Sequence, residues 1–143
     1  MVCWKFIPVN FALMAHQFEH TITVLPEHLD NQNHVNNVIY LQFMQDIAIE
    51  HWNSVVPAAM EAEIVWVVKR HEVDYHAPAL LGDELLVKTY TGALSTVAWD
   101  RHCEIIRLRD RKKIISSKSA WVCLDRKTGR PRRIDDAIKA VFD

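Results

Sequence analysis

Asp30-Asn31-Gln32-Asn33-His34-Val35-Asn36-Asn37-Val38-Ile39-Tyr40 sets a carboxylate, an imidazole and several side-chain amides directly before a long amphipathic run. From Val38 onward the apolar positions Leu41, Met44, Ala48, Trp52 and Val55 recur at steps of three and four, which is helical spacing. Gln42, Asp46 and Asn53 fall on the opposite face, as a half-buried helix requires. Asn36 or Asn37 suits the N-cap, because an Asn side chain can accept a bond from the first free N–H groups. Asp30 and His34 therefore belong to a loop that feeds a helix N-terminus, where unsatisfied N–H groups and the helix dipole favour negative charge. A carboxylate base, an imidazole and an oxyanion-binding helix start are parts for attack on an acyl group.

Working outward, Phe18 to Val24 is β-branched and partly alternating and reads as a strand. The helix covers about Asn37 to Asn53, and Ala58 to Ala62 is a connector after Pro57. Four further strands follow at Ile64–Ala77, Leu85–Leu94, Val97–Leu108 and Ile114–Asp125, with turns at Gly82-Asp83-Glu84 and Lys127-Thr128-Gly129. In the first of these, Val65, Val67, Val73 and Tyr75 fall on one side and Arg70, Glu72, Asp74 and His76 on the other. Asp135 to Phe142 reads as a short terminal helix. Short connections make the last four strands an antiparallel meander. Strands longer than the usual five or six residues, curled round one long helix, describe an α+β hotdog fold.

A chain of 143 residues fits one domain that buries roughly 68–70% of its unfolded surface. Three glycines and five prolines leave no room for a flexible linker. The net charge of −1 argues against broad binding to nucleic acid. Cys3, Cys103 and Cys123 form no CxxC pair and are odd in number, which fits a reducing, cytoplasmic compartment better than a disulfide framework. Residues 1–13 read as a loosely ordered N-terminal extension and 14–143 as the domain. Lys5 followed by Phe6, Ile7 and Val9 faintly suggests a leader, but Pro8 and Asn10 interrupt it and Ala12-Leu13-Met14-Ala15 lacks A-x-A spacing. No run approaches the ~18 apolar residues of a membrane span.

The block Asp30-x-x-x-His34-Val35-Asn36-Asn37-x-x-Tyr40-Leu41 resembles the D-x-x-x-H-V-N-N-x-x-Y signature of hotdog thioesterases, both the 4-hydroxybenzoyl-CoA thioesterase-like enzymes and the acyl-ACP thioesterases. Val73-Asp74-Tyr75-x-x-Pro78, Gly82-Asp83-Glu84-Leu85, Trp121-Val122-Cys123-Leu124-Asp125 and Gly129-Arg130-Pro131 are similar to later parts of the same pattern, in the same order. The resemblance implies a thioesterase acting on acyl-CoA, or on acyl-ACP. Asp30 would be its nucleophile or its base for water, and the Asn37 amide would polarise the thioester carbonyl. Where the acyl-ACP enzymes carry D-x-N-x-H, this chain has Gln32, which would orient water in place of Asn. Asn33 stands where glycine often precedes the histidine, and His28 and Leu29 replace the acid or threonine before the aspartate. The resemblance also implies a homodimer or homotetramer with pockets at the subunit interface. Coenzyme A enters only as part of the substrate, with no separate cofactor.

Each of these residues also has a plainer role open to it. Asp30 can serve as an Asx-turn residue. His34 can orient the loop through backbone bonds instead of sharing in chemistry. Tyr40 can line the acyl pocket or pack the core. Asp46 fits a solvated helix face better than a second acid. The eight histidines show no H-E-x-x-H spacing and scatter over the elements, so no metal is expected. Cys103 and Cys123 lie in strands as small hydrophobes, and no Gly-x-Ser-x-Gly elbow exists. Of two basic clusters, Arg107 to Lys113 is the expected phosphate contact of coenzyme A, through Arg111, Lys112 and Lys113; the other comprises Arg126, Lys127, Arg130, Arg132 and Arg133. Trp52, Val55, Val56, Met60 and Trp66 suggest an apolar pocket wall for an aromatic or an aliphatic acyl group. The rival reading is a non-catalytic acyl-CoA-binding hotdog module. A hotdog hydratase would want its histidine in another strand-to-helix context.

Overall fold

The computed structural model describes residues 17–143. The expected N-terminal extension, residues 1–13, lies outside them. β1 (Gln17–Thr23) is followed by a 3-10 turn (Pro26–His28), α1 (Asn37–Val55) and α2 (Ala58–Glu63). Then come β2 (Ile64–Tyr75), β3 (Glu84–Leu94), β4 (Ala98–Arg107), β5 (Lys112–Asp125) and α3 (Asp136–Ala140). The five strands form one antiparallel sheet in the order β1-β3-β4-β5-β2, with α1 packed on its inner face. This is the hotdog arrangement, and the segment after Pro57 is a short helix where a connector was expected.

Helix α1 starts where the amides promised. Asn36 is the N-cap, and its side-chain oxygen accepts the Val38 N–H at 3.1 Å, a bond whose loss costs about 1 kcal/mol. The buried stripe is Tyr40, Met44, Ile47, Ala48 and His51, rotated slightly from the expected one; Leu41, Trp52 and Val55 flank it half-buried. The first half of this stripe meets Val24, Val87, Cys103, Ile105, Ile114 and Ile115 in the main core. Beyond it a second core forms from Ile64, Cys123, Ile134 and Ile138, with Trp52, Met60, Trp66 and Trp99 against them. The terminal helix α3, capped by the Asp135 carboxylate on the Ile138 N–H, closes that end.

Strand β2 corrects the alternation read from the sequence. A bulge between Val68 and Arg70 shifts the register by one residue, and such a shift exchanges the faces of everything beyond it. Ile64, Trp66 and Val68 face the helix before the bulge, and Val73 after it. Val67 is consequently exposed and not on the side of Val73.

An ionic cluster fastens the β2–β3 loop and the β4–β5 tip together. Arg107, at the end of β4, donates to both Asp110 oxygens and to the Pro78 carbonyl. Asp83 accepts from Arg109 and from the Leu80 N–H. Gly82 turns the chain there in the left-handed region, φ 81°, where the missing Cβ matters. No helix among the described residues is long and apolar enough to cross a membrane.

Candidate active site

The loop before α1 is folded back on itself. Leu29 pairs with Val35, the Asp30 N–H donates to the His34 carbonyl at 2.8 Å, and the Asn36 N–H donates to the His28 carbonyl. Asn33 makes the reversal with φ 59°, a conformation Asn tolerates better than most residues. Within this loop Asp30 Oδ1 accepts from the Gln32 and His34 N–H groups at 2.9 and 3.3 Å. Asp30 is thus a turn residue in fact, with one oxygen spent on the backbone. Its Oδ2 takes no hydrogen bond from any described residue, and the side chain stays partly exposed.

The remaining sequence candidates separate clearly. The Asn37 N–H, first of α1, has no intrahelical acceptor and donates to no described residue, unlike the Asn36 and Val38 N–H groups; its carbonyl accepts from Tyr75 Oη at 3.4 Å. His34 is held by backbone pairing to Asp30 and Leu80, and its ring makes no bond to the Asp30 carboxylate. Gln32 is exposed at the loop tip. Tyr40, expected against substrate, is only 2% exposed, and its hydroxyl accepts the Ala79 N–H at 3.0 Å. That is a core position: it ties α1 to the β2–β3 loop, and burial raises its pKa. Asp46 lies on the solvated helix face, bonded to Gln42.

The basic tip is also divided. Arg107 and Arg109 are committed to Asp110, Asp83 and Pro78, and Lys113 pairs with Glu104 across the strands at 3.0 Å. Arg111 and Lys112 project from the exposed turn with no side-chain partner among the described residues. This tip and the Asp30 loop share one edge of the domain, because both are fastened to residues 76–83.

A partly open cavity of about 270 Å³ lies at the opposite end of α1. Asn37 and Trp52 are separated by about 22 Å at 1.5 Å per helical residue. Trp52 and Trp66 line the cavity as expected from the sequence; Val55, Val56 and Met60 do not. Trp99, Trp121 and Phe142 complete its aromatic walls, and Arg101 reaches into it from β4. Arg101 was missed, although the period of two that turns Trp99 and Cys103 inward also turns Arg101 inward. A more open groove between β1 and α1 passes His20, His28 and Phe43.

Neither described cysteine is set up for thiol chemistry. Cys103 and Cys123 are free and buried, and burial pushes the Cys103 thiol up to about 12, far from a reactive thiolate. Among the described residues no three His, Cys, Asp or Glu side chains converge as a metal-binding set.

Fold and loop together define a hotdog domain of the thioesterase type. The acyl-ACP thioesterase N-terminal domain family matches residues 15–142, and the chain belongs to that family. No curated protein matches it in sequence. Solved structures with the same fold include a Thermus thermophilus thioesterase complexed with coenzyme A and Zn. It is 28% identical, TM-score 0.76, over 87% of this chain and 95% of that one. The 12:0-ACP thioesterase of Umbellularia californica superposes with TM-score 0.79 at 18% identity, over 92% of this chain but 51% of that one. The probable thioesterase YbaW of Escherichia coli gives TM-score 0.75 at 23% identity, covering 86% and 94%.

Proposed function

We propose that this thioesterase hydrolyses acyl-CoA at the Asp30 loop. The observation that carries the reading is the loop itself: Asp30 is pinned through Oδ1 while Oδ2 stays open, and the unbonded first N–H of α1 lies on the same folded segment. Water gives a proton to Asp30 Oδ2 as its oxygen adds to the thioester carbonyl carbon, or Oδ2 adds directly and water then cleaves the mixed anhydride. The Asn37 N–H meets the developing oxyanion, whose stabilisation is worth roughly 10²–10³-fold. Collapse breaks the C–S bond, and the thiolate leaves with a proton. Gln32 and His34 set the water and the loop. No redox partner or separate cofactor enters. The binding of coenzyme A by a relative 28% identical supports that carrier, and the family's acyl-ACP members make acyl carrier protein the second one to test.

The active unit is at least a homodimer in this reading. Strands β1 and β2 are the sheet edges, and an open edge 12 residues long invites pairing. Val38 at 66% exposed, with Tyr75, Leu80 and Leu81, forms apolar surface around the helix start that a partner would cover. A two-fold axis pairs β2 with its own copy antiparallel. Tyr75 and the helix start of one protomer then approach Ile64, Trp66 and the aromatic cavity of the other, and the 22 Å gap within one chain ceases to matter.

Purified protein with a panel of acyl-CoA and acyl-ACP thioesters and a thiol-trapping dye tests the function. Thiol release from at least one acyl-CoA is expected. Tight binding without turnover would instead establish the non-catalytic acyl-CoA module.

Charge reversal at Arg111 and Lys112 should raise KM several-fold with kcat nearly unchanged, because contacts to remote phosphates are uniform binding. The effect should grow at low salt and vanish on a short thioester lacking the nucleotide. Equal losses on both substrates would remove the tip from coenzyme A recognition.

A further inference from the structure

The cavity at the end of α1 has an asymmetric chemistry. Its walls are aromatic, yet Arg101 stands among them without a carboxylate partner: no ion pair to it exists among the described residues. Glu61 and Asp100 also border the space, but neither bonds the guanidinium. The Arg101 contacts are His51 Nδ1 at 2.9 Å and Thr89 Oγ1 at 3.2 Å, both from Nη1, and the Phe142 ring at 5.3 Å. Nε and Nη2 have no acceptor among the described residues. Burial lowers its pKa to about 10, so the cation persists at neutral pH. An unpaired, half-buried cation is costly unless something neutralises it.

A second observation points the same way. Two indole N–H groups, Trp66 Nε1 and Trp121 Nε1, are buried without any hydrogen-bond partner. Both residues line this cavity, with the two N–H groups themselves sealed behind the ring surfaces. Buried donors left unpaired cost about 1–3 kcal/mol each, and a native structure that carries two in one place has a reason for them. The unsatisfied buried atoms here are donors, and so are the open Nε and Nη2 of Arg101. A purely hydrocarbon guest would leave the guanidinium unmet, while a planar acceptor with two oxygens fits its fork.

We infer that this cavity selects acyl groups whose far end carries a carboxylate, received by Arg101 within aromatic walls. The inference rests on the thioesterase reading of the Asp30 loop and names its substrate class: the CoA monothioester of a dicarboxylic acid, with a ring or short chain between the two ends. A volume of about 270 Å³ is near the lower limit for small-molecule sites, which suits a compact acyl group. Arg101 is then a specificity residue, remote from the bond that breaks.

The test pairs acyl-CoA thioesters of equal chain length, methyl-ended and ω-carboxy-ended, on wild type and Arg101→Met, with the matching free acids titrated by calorimetry. Wild type should favour the ω-carboxy thioester by about tenfold or more in kcat/KM, the size of a charge-assisted hydrogen bond. Arg101→Met should lose that preference, with the loss falling on KM for the ω-carboxy thioester. If Arg101→Met does not fold, Arg101→Lys, which keeps the charge but not the fork, should show a reduced preference. A wild-type enzyme that is indifferent or prefers the methyl end overturns the inference, as does a folded Arg101→Met that retains the preference. If no thioester is cleaved, the hydrolase reading fails by itself. The free acids still decide the cavity: the dicarboxylate binds wild type and not Arg101→Met if the inference holds, and binds neither or both if it does not.

Discussion

Asp30→Asn folds like the wild type and loses at least about a hundredfold in kcat. The fold survives because an Asn side-chain oxygen can accept the same Gln32 and His34 N–H groups that Asp30 Oδ1 accepts now. The rate falls because an amide is neither a base nor a nucleophile, and a positioned base contributes roughly 10²–10⁴-fold. Asp30→Ala separates the two duties, since it removes the base and the turn bonds together and should also lower the melting temperature. Steady-state rates and thermal melts of both variants make the comparison. Wild-type turnover in Asp30→Asn would reduce Asp30 to its turn.

The second large effect is on stability. Arg107→Leu removes a guanidinium that is almost fully buried, holds Asp110 with two bonds, and caps the Pro78 carbonyl. It also leaves buried Asp83 with only Arg109 and the Leu80 N–H, Arg107 being 3.7 Å away in the intact protein. Breaking a buried pair costs about 3–5 kcal/mol; the surviving partners of Asp83 favour the lower value, about 3 kcal/mol, or roughly 10 °C in Tm. Urea unfolding measures it, and a loss below about 1 kcal/mol would show the cluster to be decorative. The pH dependence has a definite sign. Arg107 beside Asp110 holds that carboxyl down from 3.8 to about 2. Its contribution is therefore present above the ordinary value and lost as pH falls through about 2. Asp110→Asn should differ from wild type near neutrality and converge with it in acid.

Much of this was legible in the sequence because simple periods carried it. Steps of three and four marked α1, alternation about Trp99 and Cys103 marked β4, and Gly82 and Pro78 bounded the loop between strands. The Asp30 block fixed the loop and the cap, since Asn36 can satisfy the Val38 N–H by local geometry alone. What escaped depended on contacts between distant elements. The bulge after Val68 is set by pairing with Trp121 and Ala120, and nothing in Val67-Val68-Lys69-Arg70 announces it. Tyr40 could face substrate or core until Ala79 was seen to bond its hydroxyl. The Arg107–Lys113 run read as one basic patch, but Asp83, Asp110 and Glu104 claim Arg107, Arg109 and Lys113. Arg101 was readable from alternation, yet an arginine is discounted on an inward face because burying charge is expensive. That expense is what makes it informative.

The central claim is that the Asp30 loop of one protomer serves an acyl group held in the cavity of another. Subunit mixing tests it most directly. Asp30→Asn disables the loop, and Ile49→Trp, at an exposed position on the cavity mouth, blocks the cavity without touching the core. Each variant alone should be nearly inactive on the best acyl-CoA. Unfolded and refolded together, they should form hybrid dimers in which one site pairs an intact loop with an intact cavity, restoring roughly a quarter of wild-type activity, since half the dimers are hybrid and each holds one working site of two. A mixture as inactive as its components, with hybrid dimers demonstrated by mass, would place loop and cavity in the same chain and contradict the account.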